Sequence, residues 1–341
     1  MINNAYLTAI SYFLPETTLN NSDIASLYSN WTSESILSKI GISNRHIVST
    51  NQTTNDLAIE AINNLFKDND QLNKDEVDFL IFCTQSPEFN IPTNACYLQH
   101  ATSLPTKIGA FDFNLGCSGF VFGLGIAKGL IVSGQANNVL LVTSETYSKR
   151  IHPLDYKNRS IFSDGASACI ISASPNDKLA GEIGNFNYGT IGAGYKKLID
   201  MSTGFSYPEK LTKHHVDNPD FTEFGCTNLY MDGSAIFDFT LNEIPKFIEE
   251  TRRINNLSNE EIDLYVMHQA NKYMLEAIRK KSRIDSNKFY YALEQYGNTV
   301  SATIPIALNN AYADKSIKPG NKVLLCGFGV GLSMASCVLH Y

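Results

Sequence analysis

The chain has 341 residues, of which 43% are hydrophobic and 18% are charged, and its formal net charge is −7. This composition is typical of a soluble globular protein, and the length allows one large domain or two ordinary ones. The acidic balance argues against broad nucleic-acid binding, which requires a basic face.

Sequence patterns for membranes, secretion and metals are absent. The longest apolar run, around residues 120–132, includes Lys128 and is shorter than the ~20 residues of a membrane span. The first twelve residues lack the basic segment of a secretory signal. Seven scattered cysteines without a C-x-x-C pair favour a reducing cytoplasm. We therefore expect a cytoplasmic protein without a membrane span or a metal, because even His214-His215 lacks a carboxylate or cysteine at ligand spacing.

The first half of the chain alternates apolar runs with helical patterns. Residues 53–55 offer an N-cap to an amphipathic helix, and another predicted helix has a proline in its first turn. The predicted helices are 56–66, 92–101 and one that begins near Cys117. The predicted strands are 2–13, 77–83, 108–113, 138–144 and 168–172.

The pattern restarts in the second half, after a long polar segment at residues 192–228, which is typical of a functional loop. The predicted strands are 181–191, 262–267, 322–326 and 332–339, and the predicted helices are 233–254, 272–281 and one that ends near 312. Short apolar strands alternating with helices indicate α/β layers and a largely parallel sheet.

The most distinctive stretch is Asn114-Leu115-Gly116-Cys117-Ser118-Gly119. An apolar strand leads into it and an apolar, glycine-rich helix leads out. Backbone N–H groups and the positive end of a helix dipole beside the sulfur would favour the thiolate, which is the nucleophilic form. The structural alternative is that Cys117 is simply a buried core cysteine.

Two polar residues at the ends of later apolar segments complement the cysteine. His268 directly follows a predicted strand, where chemistry gathers in open α/β sheets, and Asn298 lies in a Gly-Asn turn. Each alone is compatible with a structural role. Together with Cys117 they are suited to acyl transfer through a thioester. The glycine-rich turn at residues 327–331 would add backbone N–H groups for an oxyanion.

The sequence resembles β-ketoacyl-acyl-carrier-protein synthase III of the thiolase superfamily. The resemblance runs in order from about residue 40 to the C-terminus. It is carried by Gly116-Cys117-Ser118-Gly119, His268-Gln269-Ala270-Asn271, Gly297-Asn298-Thr299 with Ile304-Pro305, and Gly327-Phe328-Gly329-x-Gly331. Supporting matches are Gly41-Ile42 with Arg45-His46-Ile47, Phe162-Ser163-Asp164-Gly165-Ala166, and Met231-x-Gly233.

The resemblance implies a thiolase-like five-layered αβαβα fold built from two similar halves, residues 1–175 with the cysteine and 176–341 with the histidine and asparagine. It also implies a homodimer and a two-step reaction. Cys117 takes an acyl group from a thioester. His268 and Asn298 then polarise a malonyl thioester as CO2 leaves, or a β-ketoacyl thioester, and the carbanion attacks the acyl group. The backbone N–H groups of Cys117 and Val330 would form the oxyanion hole.

Several positions depart from the family pattern for coenzyme A. Ser35 stands where a tryptophan is common and Lys39 where an arginine is expected, while Arg159 is a candidate replacement for a second adenine-contacting arginine. Serine and lysine do not stack on a purine as those residues do. The departures favour donors bound to acyl carrier protein over acyl-coenzyme A.

The resemblance also suggests surfaces for partners. Lys272, Lys280 and Lys281 match the family's basic carrier-docking helix, although Tyr273 replaces a common arginine. Their alternative role is a solvated helix face. Ile91 matches a residue of the acyl pocket that reaches the partner subunit, and head-to-head condensing relatives have a glutamate there.

Three functional hypotheses follow, none requiring a cofactor beyond the acyl thioester substrates. The first is a decarboxylative ketosynthase acting in fatty-acid initiation or, as the departures favour, in a specialised fatty-acid or polyketide-type pathway. The second is an acyltransferase that passes the acyl group to an amine or hydroxyl. The third is a non-catalytic partner subunit of a ketosynthase pair, which would usually have lost one of Cys117, His268 and Asn298.

Overall fold

A computed structural model describes residues 4–28, 31–175, 180–201 and 228–341. The predicted loop at 192–228 lies largely outside the described residues, as do His214 and His215. In the described part of the chain, no helix has the length and apolarity needed to cross a bilayer. Nor do three or more His, Cys, Asp or Glu side chains within those ranges gather as metal ligands would.

Helices and strands alternate through the first half, as the apolar pattern predicts. Helix α3 begins with the predicted cap, a capping box in which Thr53 and Asp56 bond each other's backbone N–H. The elements are β1 Tyr6–Phe13, β2 Thr18–Asn20, α1 Asn21–Leu27, α2 Ser33–Ile40, β3 Asn44–His46, α3 Thr54–Lys67, β4 Phe79–Cys83, α4 Asn94–Ala101, β5 Gly109–Phe113, α5 Gly119–Val132, β6 Asn138–Glu145, α6 Tyr156–Arg159 and β7 Gly165–Ser172.

The second half repeats the alternation. The predicted strand at 181–191 is two strands, and the last two strands form an antiparallel hairpin. The elements are β8 Gly181–Ile183, β9 Asn187–Thr190, β10 Leu198–Ile199, β11 Tyr230–Met231, α7 Gly233–Ile254, β12 Leu264–Met267, α8 Lys272–Lys281, α9 Leu293–Tyr296, α10 Thr303–Ala313, β13 Lys322–Gly329 and β14 Ser333–His340.

Ten strands of the described chain form one sheet, in the order β12-β13-β14-β8-β1-β7-β6-β4-β5, with β9 paired to β14. Only the pairs β4–β5, β4–β6 and β12–β13 are parallel. The expectation of a largely parallel sheet is therefore wrong. The residues of β7 and β14 are buried on both faces, which antiparallel strands share with parallel ones when helices cover both sides.

Three separate cores give the molecule its layers. Alternate residues of β4 and β6 face α3 and α4 on one side and α5 with α10 on the other. Likewise, alternate residues of β12, β13 and β14 face α5 with α10 on one side and α7 with α8 on the other. The result is the predicted five-layered αβαβα arrangement, with α5 and α10 as the central layer.

The two halves meet through β8, which pairs with β1 on one side and β14 on the other. The central layer takes one helix from each half, α5 and α10. The carboxyl ends of β6 and β12 and the nucleophile turn before α5 therefore approach the same region. The division into residues 1–175 and 176–341 stays a prediction.

Candidate active site

The turn between β5 and α5 holds Cys117 at the bottom of a cavity of about 110 Å³. Helix α5 starts at Gly119, two residues after the cysteine. The end of β13 crosses directly above the turn, because a Cβ at Gly329 would lie 2.8 Å from the sulfur and one at Gly327 2.8 Å from Ser118 Cα. Only glycine permits that approach, and Gly329 also has a φ of +158°.

Burial, and not the helix start, dominates the ionisation of Cys117. Loss of hydration raises the pKa of the thiol to about 12, although backbone hydrogen bonds from Val330 and from Cys117 itself lower it. The expectation that the turn favours the thiolate of Cys117 is therefore wrong for the protein without substrate. The same two N–H groups are the ones predicted to hold an oxyanion, and they converge on the sulfur.

His268 follows β12 and shares the cavity with Cys117 and Asn298. Its backbone N–H donates to Cys326 O at 2.9 Å, and Phe328 packs edge-on against the ring. Burial lowers the pKa of His268 to about 3, with a backbone hydrogen bond to Val300 opposing the shift. The imidazole is therefore neutral near pH 7.

Thr303 contacts the far side of the histidine ring. Its Oγ1 lies 2.7 Å from His268 Nδ1, and the hydroxyl can donate to Val300 O at 3.0 Å. When the hydroxyl donates to Val300, Nδ1–H donates to Thr303 and Nε2 can accept a proton. When the hydroxyl instead donates to Nδ1, Nε2 carries a proton that it can donate into the cavity. No sequence pattern identified Thr303 as a functional residue, beyond its place five positions after Asn298.

Asn298 is oriented by its own loop. Its backbone exchanges hydrogen bonds with Ile161 O and Ser163 N, and its Oδ1 accepts from Val300 N at 2.9 Å. With Oδ1 occupied, the amide Nδ2 points toward His268 Nε2, at 3.5 Å. The two nitrogens are thus close enough to address one substrate oxygen.

The other motif residues mostly support this arrangement. Gln269 bonds Met267 O and Ala292 N, and Asn271 caps α8. Met231 and Gly233 line the cavity. Arg45 is fully buried and donates to Ser160 O and Ile42 O. Its role here is to hold loops together.

The remaining predicted residues lie away from the cavity. Ile91 is 86% exposed and does not line it. Ser35 closes the capping box of α2 with Thr32, and Arg159 donates to Pro153 O instead of facing the cysteine. Lys272 opens α8 next to Asn271, which lines the cavity, whereas Lys280 and Lys281 end the same helix. The functions predicted for these residues stay predictions.

Comparison with known proteins assigns the chain to a family. The models of 3-oxoacyl-[acyl-carrier-protein] synthase III and of its C-terminal region match residues 111–192 and 253–341. A β-ketoacyl-[acyl-carrier-protein] synthase III from Caldanaerobacter subterraneus subsp. tengcongensis is 33% identical over 329 residues, covering 96% of this chain and 95% of that protein. The chain belongs to the β-ketoacyl-[acyl-carrier-protein] synthase III family.

Solved structures of family members agree with the fold. A crystal structure of a 3-oxoacyl-(acyl-carrier-protein) synthase III matches with a TM-score of 0.93 and 42% identity, covering 99% of this chain and all of that one. The enzyme from Burkholderia xenovorans LB400 matches with a TM-score of 0.88 and 29% identity, covering 99% of this chain and 94% of that one. The chain is therefore a condensing enzyme of the thiolase superfamily, in the acyltransferase class.

Proposed function

We propose that the protein loads an acyl group on Cys117 and condenses it with a malonyl thioester as CO2 leaves. The observation that carries the proposal is that Cys117, His268 and Asn298 all line the same small cavity. A nucleophile, a neutral imidazole and an oriented amide are the groups that this reaction requires.

The acylation step begins with a thiol, since burial raises the pKa of Cys117. The neutral His268 can take the proton through Nε2 as the sulfur attacks the thioester carbonyl, and the proton then passes to the departing thiol. The N–H groups of Val330 and Cys117 would stabilise the oxyanion that forms. Charge is thus created only in the transition state, where these fixed dipoles can act on it.

The second step forms a carbanion from the malonyl thioester. Its carbonyl oxygen would receive hydrogen bonds from Asn298 Nδ2 and from Nε2–H of His268. Loss of CO2 places the electron pair on the enolate, which attacks the acyl carbonyl and releases the Cys117 sulfur. A neutral histidine suits this role because the site is apolar on most sides, with Phe162, Leu198, Ile236, Met274 and Phe328 in its lining.

We further propose that carrier protein delivers the acyl groups, as the departures at Ser35 and Lys39 favour. Helix α8 supports this because its first turn adjoins the cavity and its exposed lysines at 272, 280 and 281 make no ion pair among the described residues. An acidic carrier would meet Lys272 beside the cavity and Lys280 and Lys281 at the other end of the same helix.

A homodimer is part of the same proposal. β5 is the terminal strand of the sheet, so one edge of its backbone is free to pair with another strand. Near it in sequence, Ile91 is 86% exposed and Tyr97, which packs on Phe89, is 41% exposed. A second copy would cover these apolar side chains.

Release of CO2 from a malonyl-carrier protein tests the proposed reaction. We expect the wild-type protein to release CO2 and form a β-ketoacyl product. His268→Ala and Asn298→Ala should each lower the release at least about a hundredfold, since each removes one of two hydrogen bonds to the enolate. Acyl transfer to an amine or hydroxyl without CO2 would instead establish the acyltransferase alternative. Activity that appears only with a homologous chain and survives Cys117→Ala would establish the partner-subunit alternative.

A further inference from the structure

Glu145 is a fully buried carboxyl group that the proposed reaction does not use. It is the last residue of β6. Its two oxygens accept hydrogen bonds from Gln85 N at 3.1 Å each, from Ser86 Oγ at 2.9 Å and from Ser301 Oγ at 3.0 Å. A carboxyl group is costly to bury unless its hydrogen bonds are satisfied, and here three donors are directed at it.

The donors come from both halves of the molecule. Gln85 and Ser86 directly follow β4, the parallel neighbour of β6. Ser301 belongs to the second half and lies in the short 3-10 turn between Asn298 and Thr303. Glu145 therefore links two parts of the molecule. One is the segment that carries Asn298 and Thr303, and the other is the ends of β4 and β6 in the first half.

That segment holds a strained residue. Val300 has a φ of +57°, which is an outlier for a β-branched side chain and persists only when its surroundings fix it. One fixed point is Asn298 Oδ1, which accepts from Val300 N, and another is Thr303 Oγ1, which bonds Val300 O. The bond from Ser301 to Glu145 anchors this turn to the other half through a side chain, in addition to the backbone hydrogen bonds that Asn298 forms with Ile161 and Ser163.

We propose that Glu145 is a positioning residue for the carbanion-forming step, acting through Ser301 on Asn298 and Thr303. The inference rests on the proposed function. Because Asn298 Nδ2 and His268 Nε2 must meet one oxygen, a shift of the turn misaligns both donors at once. Formation of the acyl-Cys117 intermediate uses His268 but not Asn298, so it depends on one of these two groups and is less sensitive to their mutual alignment.

Ser301→Ala and Ser86→Ala form a matched pair of variants. Each removes one hydroxyl donor to Glu145, but only Ser301 lies on the turn with Asn298. Two readouts are needed for each protein: the rate of Cys117 acylation by intact mass, and the rate of CO2 release from malonyl-carrier protein. We expect Ser301→Ala to lower CO2 release about tenfold with acylation within about twofold of wild type. Ser86→Ala should leave both rates within about twofold.

Glu145→Gln provides a second line of evidence, because it keeps the size of the side chain but replaces one of the two acceptor oxygens with an amide nitrogen that donates. It should reproduce the loss seen in Ser301→Ala, and adding Ser301→Ala to it should cause little further loss. Equal rates in the two serine variants, or equal loss of acylation and CO2 release in Ser301→Ala, would overturn the inference. A wild-type chain that acylates but releases no CO2 would instead overturn the proposed function, and this inference with it.

Discussion

At the scale of single residues, burial sets the ionisation of the reacting groups. The same desolvation keeps Cys117 a thiol and His268 a neutral imidazole, with pKa values moved to about 12 and about 3. A neutral pair avoids a charge in a dry cavity before substrate arrives. Proton transfer between the two is then part of the attack itself.

Alkylation of Cys117 by iodoacetamide tests this state. We expect the rate to rise steadily with pH up to at least pH 10, because the raised pKa keeps the thiolate a minor species throughout that range. The measurement is the alkylation rate by intact mass against pH, with Cys117→Ala as the control for other cysteines. A plateau near neutral pH would show a thiolate already formed and would contradict the role assigned to burial.

Replacing Thr303 tests the tautomer control of His268. Thr303→Val keeps the shape of the side chain but removes the hydroxyl next to Nδ1, leaving that nitrogen without its side-chain partner. We expect kcat to fall about tenfold or more, with Thr303→Ser restoring most of it. Steady-state kinetics of the three proteins provide the test. Unchanged kcat in Thr303→Val would rule out the hydroxyl as a partner in the reaction.

The sequence predicted the residues that line the cavity but not those that orient them. Cys117, His268 and Asn298 each lie in a short motif that can be read locally. Thr303 and Ser301 meet partners 35 and 156 residues away, so their roles depend on how distant segments pack. Glu145 was missed for the same reason, since a carboxyl group at a strand end has no local signature of burial.

At the scale of elements, α8 joins the cavity to a proposed partner surface. Lys272→Glu and Lys280→Glu should each raise the KM for an acyl-carrier substrate about threefold to tenfold at low salt, because they repel an acidic partner. Lys67→Glu, on the exposed end of α3 in the opposite outer layer, is the matched control. Equal KM values in all three variants would contradict docking on α8.

The bounds of α7 and α8 were predicted from sequence, because caps and a 3.6-residue apolar period are local signals. Strand direction was not. β14 and β7 are as apolar as the parallel strands, and nothing in their own residues reveals that they run antiparallel to their neighbours. Pairing depends on the connections between strands, which a local pattern does not contain.

At the scale of the whole molecule, the central layer of α5 and α10 brings the two halves together, and Glu145 lies where they meet. Burial raises the pKa of Glu145 from its ordinary 4.5 to about 8. Its hydrogen-bond donors and the positive charge of Arg150 lower the pKa, but burial outweighs them. Among the described residues, Glu145 also interacts electrostatically with the titratable groups of Cys83, Cys117 and Tyr147.

This shift predicts how stability depends on pH. Between pH 4.5 and 8 the folded chain binds more protons at Glu145 than the unfolded chain does, so stability falls as pH rises. Glu145→Gln removes that contribution. From pH 6.5 to 8 its unfolding free energy relative to wild type should increase by about 2 kcal/mol, while the contribution of His268 is common to both proteins and cancels. Urea unfolding of both proteins at the two pH values is the measurement, and a constant difference would contradict the raised pKa.

The central claim is that one cavity brings a sulfur, an imidazole and an amide to a thioester. Intact-mass analysis after incubation with a panel of acyl thioesters tests it most directly, using donors on coenzyme A and on carrier protein. We predict an acyl adduct on the wild-type chain that is absent in Cys117→Ala and is discharged when malonyl-carrier protein is added. No adduct from any donor, or an adduct that persists in Cys117→Ala, would contradict the account.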